Sequence, residues 1–498
     1  MTFVIGIDQG TTNTKAVAVD AAGSVLHKAA RPIATAAPRP GWVEQDAVGM
    51  LANLVACVRE VLAAAGGDAA ACAGLGIANQ TETLVVWDRQ TGAPVMPAIV
   101  WQCRRGEEEL QELRDARTAA LVRARTGLDL DPTFTAGKLR WLFRHRPEVA
   151  DGLRRGTCLF GTVDCWLIWK LTGGRLYATE SSNAARTLLF DIGRAAWDPE
   201  LLRLFGLEIA ELPEARRSTG PFGQTETAIF GAPIRIAAAL GDQQASLFGH
   251  GCFAESQIKV TYGTGAFLWL NAGPRADAPV AEGLLRTVAW HLDRPCYAIE
   301  GFVMSAGAAL EWLAARLAIA GGGAGVAEQA RQAGSSGGVL LVPAFQGLAA
   351  PWWRPDARAA LLGMSEATAP GHICHAGLEA VCFQIRAILE LIAASGHRPA
   401  ALKVDGGPTR SAYLMQMQAD VLQRPLAVAP FDSMTPYGAA LMAGLGAGLW
   451  PDLDALGVLI RSPDVVAPDP ARAADWDAAY RDWRGAIESL LASGRRPL

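Results

Sequence analysis

One short pattern, a β-branched run followed by a glycine-threonine turn and a second run, occurs twice in this chain. It occupies residues 3–20 (FVIGIDQGTTNTKAVAVD) and, roughly 250 residues later, residues 257–271 (QIKVTYGTGAFLWLN). Each copy predicts two strands joined by a tight turn. A repeat at this separation favours two similar halves, and we predict an N-terminal domain over residues 1–246 and a C-terminal domain over residues 247–498.

Short apolar runs alternate with longer alanine- and leucine-rich segments of helical period along most of the chain, which is typical of an α/β protein. The runs predicted to be strands include residues 3–7, 16–19, 84–87 and 257–260. The glycine-rich residues 321–325 and 334–338 are predicted to be loops that flank a surface helix. At 498 residues the chain exceeds one ordinary core, which agrees with two domains.

Composition excludes several classes of protein. Lys and Arg number 45 against 49 Asp and Glu, and the basic residues are scattered, so nucleic acid is not an expected partner. Every apolar stretch is interrupted before about 18 residues, and the amino terminus lacks a secretion signal, so we expect no membrane span. The nine cysteines form no CxxC pair, which favours a reduced, cytoplasmic setting.

Two further features have ordinary structural explanations as well as functional ones. His372, Cys374 and His375 could contribute to a metal site, but packing at the start of a helix is the simpler interpretation. Residues 240–251 and 436–448 are both rich in small side chains, which let helices approach closely. They are predicted to meet at an interdomain hinge, although core packing also favours alanine and glycine.

Three loops could together bind a nucleotide. Residues 8–15 (DQGTTNTK) offer backbone N–H groups, hydroxyl donors and the charge of Lys15 to phosphate oxygens, and residues 262–265 (YGTG) form a second such turn. In residues 402–422 a strand leads through Gly406-Gly407 to a helix predicted near Thr409, where an adenine nucleotide would fit. Each loop alone is also compatible with a plain hairpin or strand-helix turn. The three in this order favour the nucleotide site.

The residues that carry these loops also carry a family resemblance. The stretches IGIDQGTTNTKAVAVD, GIANQTETLVVWDRQTGAPV, GTVDCWLIWKLTGG, GDQQASLFG, TYGTGAF and VDGGPTRSAYLMQMQADVL are similar to those of the FGGY carbohydrate kinases, and within them of the glycerol kinases, over nearly the whole chain. The resemblance implies two actin-like, ribonuclease H-like α/β domains with ATP and Mg²⁺ in the cleft between them.

The resemblance also implies roles for particular residues. Asp242 would be the catalytic base, and Asp8 and Asp242 would face the magnesium ion. The residues implied to contact the nucleotide are Thr11, Thr12, Asn13, Lys15, Gly263, Thr264, Gly307, Glu311, Gly406, Gly407 and Ser411. The residues implied to contact the acceptor are Thr81, Glu82, Trp101, Thr133, Asp242, Gln243 and Phe267. A purely structural Asp242 in a strand-helix turn is the alternative.

The acceptor pocket departs from the family pattern at two positions. Thr81 stands where glycerol kinases have an arginine that binds glycerol, and Thr133 stands where they have a tyrosine. Both changes remove a donor and leave space, so we expect an acceptor larger than glycerol, such as a four- or five-carbon polyol or a ketose. Cys103, Glu311 and Ser411 also differ from the usual aspartate, glutamine and asparagine.

The sequence thus predicts an ATP-dependent polyol or sugar kinase in the cytoplasm, assembled as a homodimer or homotetramer as is common in the family. The alternatives are a true glycerol kinase with an altered pocket and a non-catalytic actin-like protein that senses a sugar. A sensor has no use for a polar acceptor pocket walled by Trp101, which favours the kinases.

Overall fold

Two mixed β-sheets, one in each half of the chain, carry the rest of the structure. The computed structural model describes residues 2–431, 433–460 and 464–492. The strands are β1 Phe3–Gln9, β2 Asn13–Asp20, β3 Val25–Pro32, β4 Thr35–Ala36, β5 Glu44–Gln45, β6 Cys72–Asn79, β7 Val85–Asp88, β8 Ala98–Ile99, β9 Cys158–Gly161, β10 Ala178–Glu180, β11 Phe190–Asp191, β12 Ala196–Trp197, β13 Glu214–Arg216, β14 Ile236–Gly241, β15 Ile258–Tyr262, β16 Ala266–Gly273, β17 Leu285–His291, β18 Pro295–Val303, β19 Leu340–Val342, β20 Ala360–Leu362, β21 Leu402–Asp405, β22 Leu426–Val428 and β23 Asp464–Val466.

Helices pack against these sheets and also fill the segments between their strands. They are α1 Ala47–Ala64, α2 Glu107–Gln111, α3 Ala116–Thr126, α4 Thr135–His145, α5 Pro147–Arg155, α6 Val163–Leu171, α7 Ser181–Ala184, α8 Pro199–Leu204, α9 Thr227–Phe230, α10 Asp242–Gly249, α11 Gly307–Arg316, α12 Gly322–Ala333, α13 Pro370–Ala394, α14 Ala412–Leu422, α15 Thr435–Ala447, α16 Leu453–Leu459 and α17 Ala473–Ala492. Short 3₁₀ turns lie at Ala69–Ala71, Ala185–Thr187, Gly407–Arg410 and Pro470–Arg472.

The first sheet has the strand order β14-β6-β1-β2-β3. β1 and β14 both run parallel to β6, and β1 pairs with β2 in an antiparallel hairpin. Every residue of β1 is buried, because α1 and α15 both pack against this sheet. The continuous apolar run at the amino terminus is therefore a central strand covered on both faces.

The second sheet repeats this plan in the other half of the chain. Its strand order is β17-β18-β16-β15-β21-β22-β23, with β15 and β16 as an antiparallel hairpin and β15 parallel to β21. The long helix α13 is buried over most of its length against this half's core. The α/β class and the repeated hairpin are thus confirmed. The domain boundary at residues 246/247 stays a prediction.

Helices α10 and α15 cross in contact, as their small side chains predict. A Cβ added to Gly438 would lie 1.8 Å from the backbone oxygen of Ala245, and one added to Gly6 of β1 would lie 1.9 Å from that of Pro436. Helix α15 therefore packs on the first sheet although it comes late in the chain. This contact joins the two halves; its use as a hinge stays a prediction.

Two local predictions are wrong in part and a third is confirmed. Residues 322–325 lie inside helix α12 rather than in a loop, because Gly321 takes a left-handed φ of 85° that lets the helix begin at Gly322. Residues 334–338 are a loop as predicted. The helix predicted near Thr409 is a 3₁₀ turn there, and α14 begins at Ala412.

The histidine-cysteine cluster lies in the first turns of α13 and its histidines are used within the fold. The ring of His372 accepts the backbone N–H of Ala369, and His375 contacts Glu379 and Tyr413. Across residues 2–431, 433–460 and 464–492, no group of three or more His, Cys, Asp or Glu side chains could hold a metal ion. Packing at a helix start is the interpretation that the structure supports.

Helix α1 bears on the expectation that no segment spans a membrane. Among the described residues it is one helix that is long and apolar enough to do so by length and composition. Its buried side chains, among them Met50, Leu54 and Val61, belong to the core of the first sheet. A core helix passes the same test of length and composition, so the test alone does not assign a membrane span.

The close approach of α10 and α15 gives a stability prediction. Gly438→Val places a side chain where Ala245 has its backbone oxygen, so it should lower the free energy of unfolding by about 3 kcal/mol or more. Gly485→Ala is the control, because a Cβ there meets nothing within 4 Å and the helix gains up to about 1 kcal/mol. Urea unfolding measures both. Equal stability of the two variants would contradict the packing.

Candidate active site

The carboxyl ends of three parallel strands meet at one edge of the first sheet. Strands β1 and β14 both pair with β6, with Gln9 and Gly241 opposite Asn79. Asp8 lies near the end of β1, Glu82 follows β6, and Asp242 follows β14 directly. Because parallel strands end on the same side, side chains that are far apart in sequence converge here.

The turn between β1 and β2 is held by polar side chains from elsewhere in the first half. The hydroxyl of Thr11 donates to Oε1 of Gln80 at 3.2 Å and accepts the indole N–H of Trp101 at 2.9 Å. Gln45 donates to the backbone oxygen of Thr11 at 2.6 Å. The predicted phosphate turn and the predicted acceptor wall at Trp101 are thus connected directly.

Thr12, Asn13 and Lys15 complete the first turn. Thr12 is exposed, and the Asn13 amide donates to its hydroxyl at 3.2 Å. Lys15 lies opposite Asp8 in the hairpin, with its Nζ 3.7 Å from the Asp8 carboxylate. Backbone N–H groups, hydroxyls and a cation are therefore present in one accessible turn, which is a chemistry suited to an anion.

Asp242 begins helix α10 and is half-buried. Removal from water, with the negative charges of Asp8 and then Glu82 nearby, raises the pKa of its carboxyl to about 7. Burial likewise raises the pKa of Asp8, although Lys15 opposes this. Asp8 and Glu82 are thus close enough for their charges to act on Asp242, as the convergence at the sheet edge requires.

Glu82 is buried and heavily bonded. Its carboxylate accepts the Thr81 hydroxyl at 2.6 Å and the Nε of Arg186 at 2.5 Å, and Thr135 donates to its backbone oxygen at 3.2 Å. The Thr81 hydroxyl is thus directed onto its neighbour. Where the sequence pattern lost an arginine at position 81, the guanidinium of Arg186 contacts Glu82, a residue that sequence reasoning did not single out.

Thr133 and Phe267 lie in two segments near this centre. The backbone N–H of Thr133 donates to the Asp131 carboxylate at 2.8 Å. Thr133 lies two residues before Thr135, whose hydroxyl donates to the backbone oxygen of Glu82. Phe267 is half-buried on β16 and stacks on Phe302 with 5.7 Å between ring centroids. Thr133 is therefore connected to Glu82 through the nearby Thr135. Phe267 lies on β16, the strand that follows the second turn.

The second turn lies between β15 and β16 and leaves Gly263 and Thr264 exposed. The backbone N–H of Gly307 donates to the Gly263 oxygen at 3.0 Å, and a Cβ on Gly307 would lie 2.4 Å from that oxygen. Glycine at 307 is therefore required by the close approach of α11 to this turn.

The Gly406-Gly407 loop lies beside the same turn. Strand β21 is parallel to β15, so both loops leave the same edge of the second sheet. Gly406 has a φ of 105°, and a Cβ there would lie 1.9 Å from the backbone oxygen of Tyr262. Only glycine allows this contact. Ser411 follows the loop and caps α14 by accepting the Leu414 N–H at 3.2 Å.

Glu311 is the predicted nucleotide residue with a different use in the structure. It is exposed on α11, and its carboxylate accepts the backbone N–H of Gly323 at 2.9 Å in the first turn of α12. A negative charge at a helix N-terminus is stabilising, which explains the contact. The role of Glu311 at the nucleotide stays a prediction.

A buried hydrogen-bonded chain links the two lobes beneath the site. Nζ of Lys259 donates to Gln243 at 2.5 Å and to Thr261 at 2.9 Å, and Thr261 donates to Asp405 at 2.6 Å. Burial lowers the pKa of Lys259 to about 8, while Asp405 and then Asp242 oppose that shift. The chain runs from the residue after Asp242 to the strand before Gly406.

Sequence reasoning missed Lys259 and Asp405 in this role. The available signal was a lysine inside a β-branched strand, β15, four residues before the second turn, since a buried lysine needs partners. Its partners could not be read from spacing, because Gln243 lies 16 residues earlier in the part that forms α10, and Asp405 is reached through Thr261 from β21.

The fold and the loops together define a two-lobed phosphotransferase. Residues 3–249 match the N-terminal domain and residues 258–447 the C-terminal domain of the FGGY family of carbohydrate kinases. A glycerol kinase of Citrifermentans bemidjiense is 45% identical over 90% of this chain and 91% of its own length. The chain belongs to the FGGY family of carbohydrate kinases, and it is an ATP-dependent kinase.

Solved structures agree with this assignment. A glycerol kinase of Plasmodium falciparum, crystallised with ADP, superposes with a TM-score of 0.91 at 32% identity and covers 99% of this chain and 98% of its own. A xylulose kinase of Rhodospirillum rubrum superposes with a TM-score of 0.85 at 27% identity and covers 98% of this chain and 99% of its own. The predicted two-domain kinase fold is confirmed.

The contact between Gly307 and the second turn gives a testable prediction. Gly307→Val would push its side chain into the Gly263 oxygen and displace the turn, so we expect the Kd for ADP to rise at least about tenfold, a loss of about 1.4 kcal/mol. Isothermal titration measures it, with Gly485→Ala as a control. An unchanged Kd in a folded Gly307→Val would show that the turn does not contact the nucleotide.

Proposed function

We propose that this chain transfers the γ-phosphoryl group of ATP to a hydroxyl of a small acyclic polyol, with Asp242 as the general base. The observation that carries the proposal is the position of Asp242. It directly follows β14 at the sheet edge where β1 and β6 also end, and the carboxylates of Asp8 and Glu82 are close enough for their charges to act on it. A general base must lie within hydrogen-bond reach of the hydroxyl that it deprotonates, and this strand end adjoins the residues predicted to bind the acceptor.

The chain's own residues supply alignment and charge. Asp242 accepts the proton of the attacking hydroxyl, and Glu82 with Gln243 binds the acceptor's other hydroxyls. Lys259 holds the Gln243 side chain through its 2.5 Å hydrogen bond. Phosphoryl transfer needs positioning and electrostatic stabilisation more than covalent help, and closure of the lobes excludes water from the γ-phosphoryl group.

The residues present fit a magnesium ion. The charge of Asp8 raises the pKa of Asp242, so the two carboxylates repel each other where a cation would relieve them. Mg²⁺ is commonly held by one or two carboxylates together with phosphates and water. Asp8 and Asp242 would hold it, and it would neutralise charge on the transferred group. The nucleotide would lie between the turns at Gly10 and Gly263.

The acceptor pocket favours a polyol of four or five carbons. Thr81 uses its hydroxyl on Glu82, and Thr133 is smaller than the tyrosine of the family pattern, so two donors to a three-carbon acceptor are missing. Glycerol is the second candidate, because the relative from Citrifermentans bemidjiense is 45% identical and is a glycerol kinase. A ketose is a further candidate acceptor, since the similar structure from Rhodospirillum rubrum is a xylulose kinase.

The setting is part of the proposal. The odd number of cysteines, none of them in a CxxC pair, supports a reduced cytoplasm. The scattered basic residues support a small-molecule partner rather than nucleic acid or a membrane surface. Assembly as a homodimer or homotetramer stays a prediction.

An acceptor panel tests the proposed function. Coupled ADP release is measured with glycerol, erythritol, threitol, pentitols, xylulose and ribulose, and we expect the highest kcat/KM with a tetritol or pentitol. Thr81→Arg should raise the ratio of kcat/KM for glycerol to that for the best tetritol at least about tenfold, since it restores a donor fork. Absence of acceptor-dependent ADP release with every compound would contradict the kinase and support a sensor.

The base is tested separately. Asp242→Asn keeps the shape of the side chain but cannot take a proton, so kcat should fall about 10³-fold. The Kd for ADP without magnesium should change less than about threefold, because the side chain faces the acceptor rather than the adenosine. A variant that keeps near-normal turnover would refute Asp242 as the base.

A further inference from the structure

Arg186 is buried and bridges two carboxylates. It lies in the short 3₁₀ turn Ala185–Thr187 and is 5% exposed. Its Nε donates to Glu82 at 2.5 Å and its Nη1 donates to Glu300 at 2.5 Å. Burial opposes the charge of Arg186, but Glu300 and Glu82 outweigh it and keep its pKa above the ordinary value. The three side chains form one buried ionic group.

The two carboxylates belong to different lobes. Glu82 and Arg186 lie in the part that matches the N-terminal family domain, whereas Glu300 lies on β18 in the part that matches the C-terminal one. Two aromatic rings lie near the guanidinium, one from each lobe. The ring centroid of Phe134, in the first lobe, is 5.2 Å from the Arg186 Cζ, and that of Trp269, in the second lobe, is 5.7 Å from it. Arg186 is therefore an interlobe contact as well as a contact to Glu82.

Glu82 needs support to hold its conformation. Its φ of 64° lies in the left-handed region, which is unfavourable for a residue with a side chain. The contacts that fix it are those from Thr81, Thr135 and Arg186. Two of these donors are neutral and come from the same lobe. Arg186 alone among them is a charged donor that also reaches the other lobe.

A closure motion that moves β18 relative to residues 185–187 would break the pair between Arg186 and Glu300. A buried charge that loses its partner is strongly unfavourable, so Arg186 would either be hydrated or shift its remaining interaction with Glu82. Either response changes the interactions of the Glu82 carboxylate, which lies beside Asp242. In the joined state, by contrast, the guanidinium is satisfied by both carboxylates and Glu82 is held in place.

We propose that Arg186 is a positioning residue that couples acceptor binding at Glu82 to closure of the two lobes through its bond to Glu300. This inference rests on the proposed function. Its consequence is that a polyol bound at Glu82 stabilises the closed site, whereas without the Arg186–Glu300 bond water reaches the γ-phosphoryl group more often. Removal of the bond should therefore separate ATP hydrolysis from phosphoryl transfer.

Glu300→Gln is the primary variant, because Glu300 contacts Arg186 and stands outside the proposed catalytic and binding residues. We expect the KM for the best acceptor to rise at least tenfold while kcat changes less than threefold. ADP formed per phosphorylated product should rise from near one to well above one. Small-angle scattering should show that the compaction caused by nucleotide plus acceptor in the wild type is reduced.

Two further variants keep the test decisive. Arg186→Lys retains the cation but cannot bridge both carboxylates, so it should show the same loss of coupling even where Glu300→Gln folds poorly. Asp198→Asn is the matched control, because Asp198 belongs to an ionic group around Arg125 with Asp191, all within the first lobe. It should leave KM, product stoichiometry and compaction unchanged.

The outcomes separate this inference from the proposed function. A lower Tm for Glu300→Gln and Arg186→Lys with unchanged KM, stoichiometry and compaction would overturn the coupling and leave a structural ionic group. A fall in kcat with unchanged KM and intact compaction would overturn it too. A wild-type chain that releases no ADP in response to any acceptor would overturn the proposed function and this inference with it.

Discussion

The parallel pairing of β1, β6 and β14 is the constraint on which the site depends. It ends three strands at one sheet edge and so places Asp8, Glu82 and Asp242 within range of one another. Like charges would not gather in this way without compensation. Lys15, Lys259 and Arg186 supply it, each bonded to one of these carboxylates or to its neighbour.

The second sheet also has parallel strands that end at one edge, but different groups lie at that edge. Strands β15 and β21 are parallel, and their ends place the Gly263 turn beside the Gly406 loop. A Cβ on Gly406 would lie 1.9 Å from the backbone oxygen of Tyr262, and a Cβ on Gly307 would lie 2.4 Å from that of Gly263. Glycine is therefore needed at both positions, because backbone meets backbone there. The first sheet thus presents carboxylates together with the turn at Gly10, and the second presents two glycine-rich loops; phosphoryl transfer from a nucleotide to an alcohol depends on charge and positioning of this kind.

Three contacts of different kinds are among those that join the lobes. Helix α15 packs on the first sheet through Gly6 and Gly438, the chain from Gln243 to Asp405 lies beneath the site, and Arg186 links to Glu300 beside the acceptor pocket. The first contact is apolar and close-packed, so it resists separation. The other two are polar and buried, so they respond to changes in charge and bonding.

Much of the fold and of the site could be predicted from the sequence, because local chemistry determined it. The two hairpins, the strand before Gly406 and Asp242 at a strand end all follow from short patterns. The support of the site could not be predicted. Gln45, Gln80 and Arg186 find their partners across large sequence separations, and no spacing rule gives those partners.

Two residues predicted to contact the nucleotide use their side chains in local hydrogen bonds instead. Glu311 binds the start of α12, which the sequence pattern read as a loop, and Ser411 is the cap of α14. In both cases a short-range contact with a helix N-terminus uses the side chain that the pattern assigned to a nucleotide. A position in a motif thus predicts where a side chain lies better than what it bonds.

The central claim is that glycine-threonine turns from both lobes hold one triphosphate beside Asp242. A crystal structure with a non-hydrolysable ATP analogue and Mg²⁺ tests it most directly. The β- and γ-phosphates should contact the backbone of residues 10–13 and of residues 263–265 at once, with the γ-phosphorus facing the Asp242 carboxylate. Phosphates bound away from either turn, or an Asp242 carboxylate shielded from them, would contradict the account.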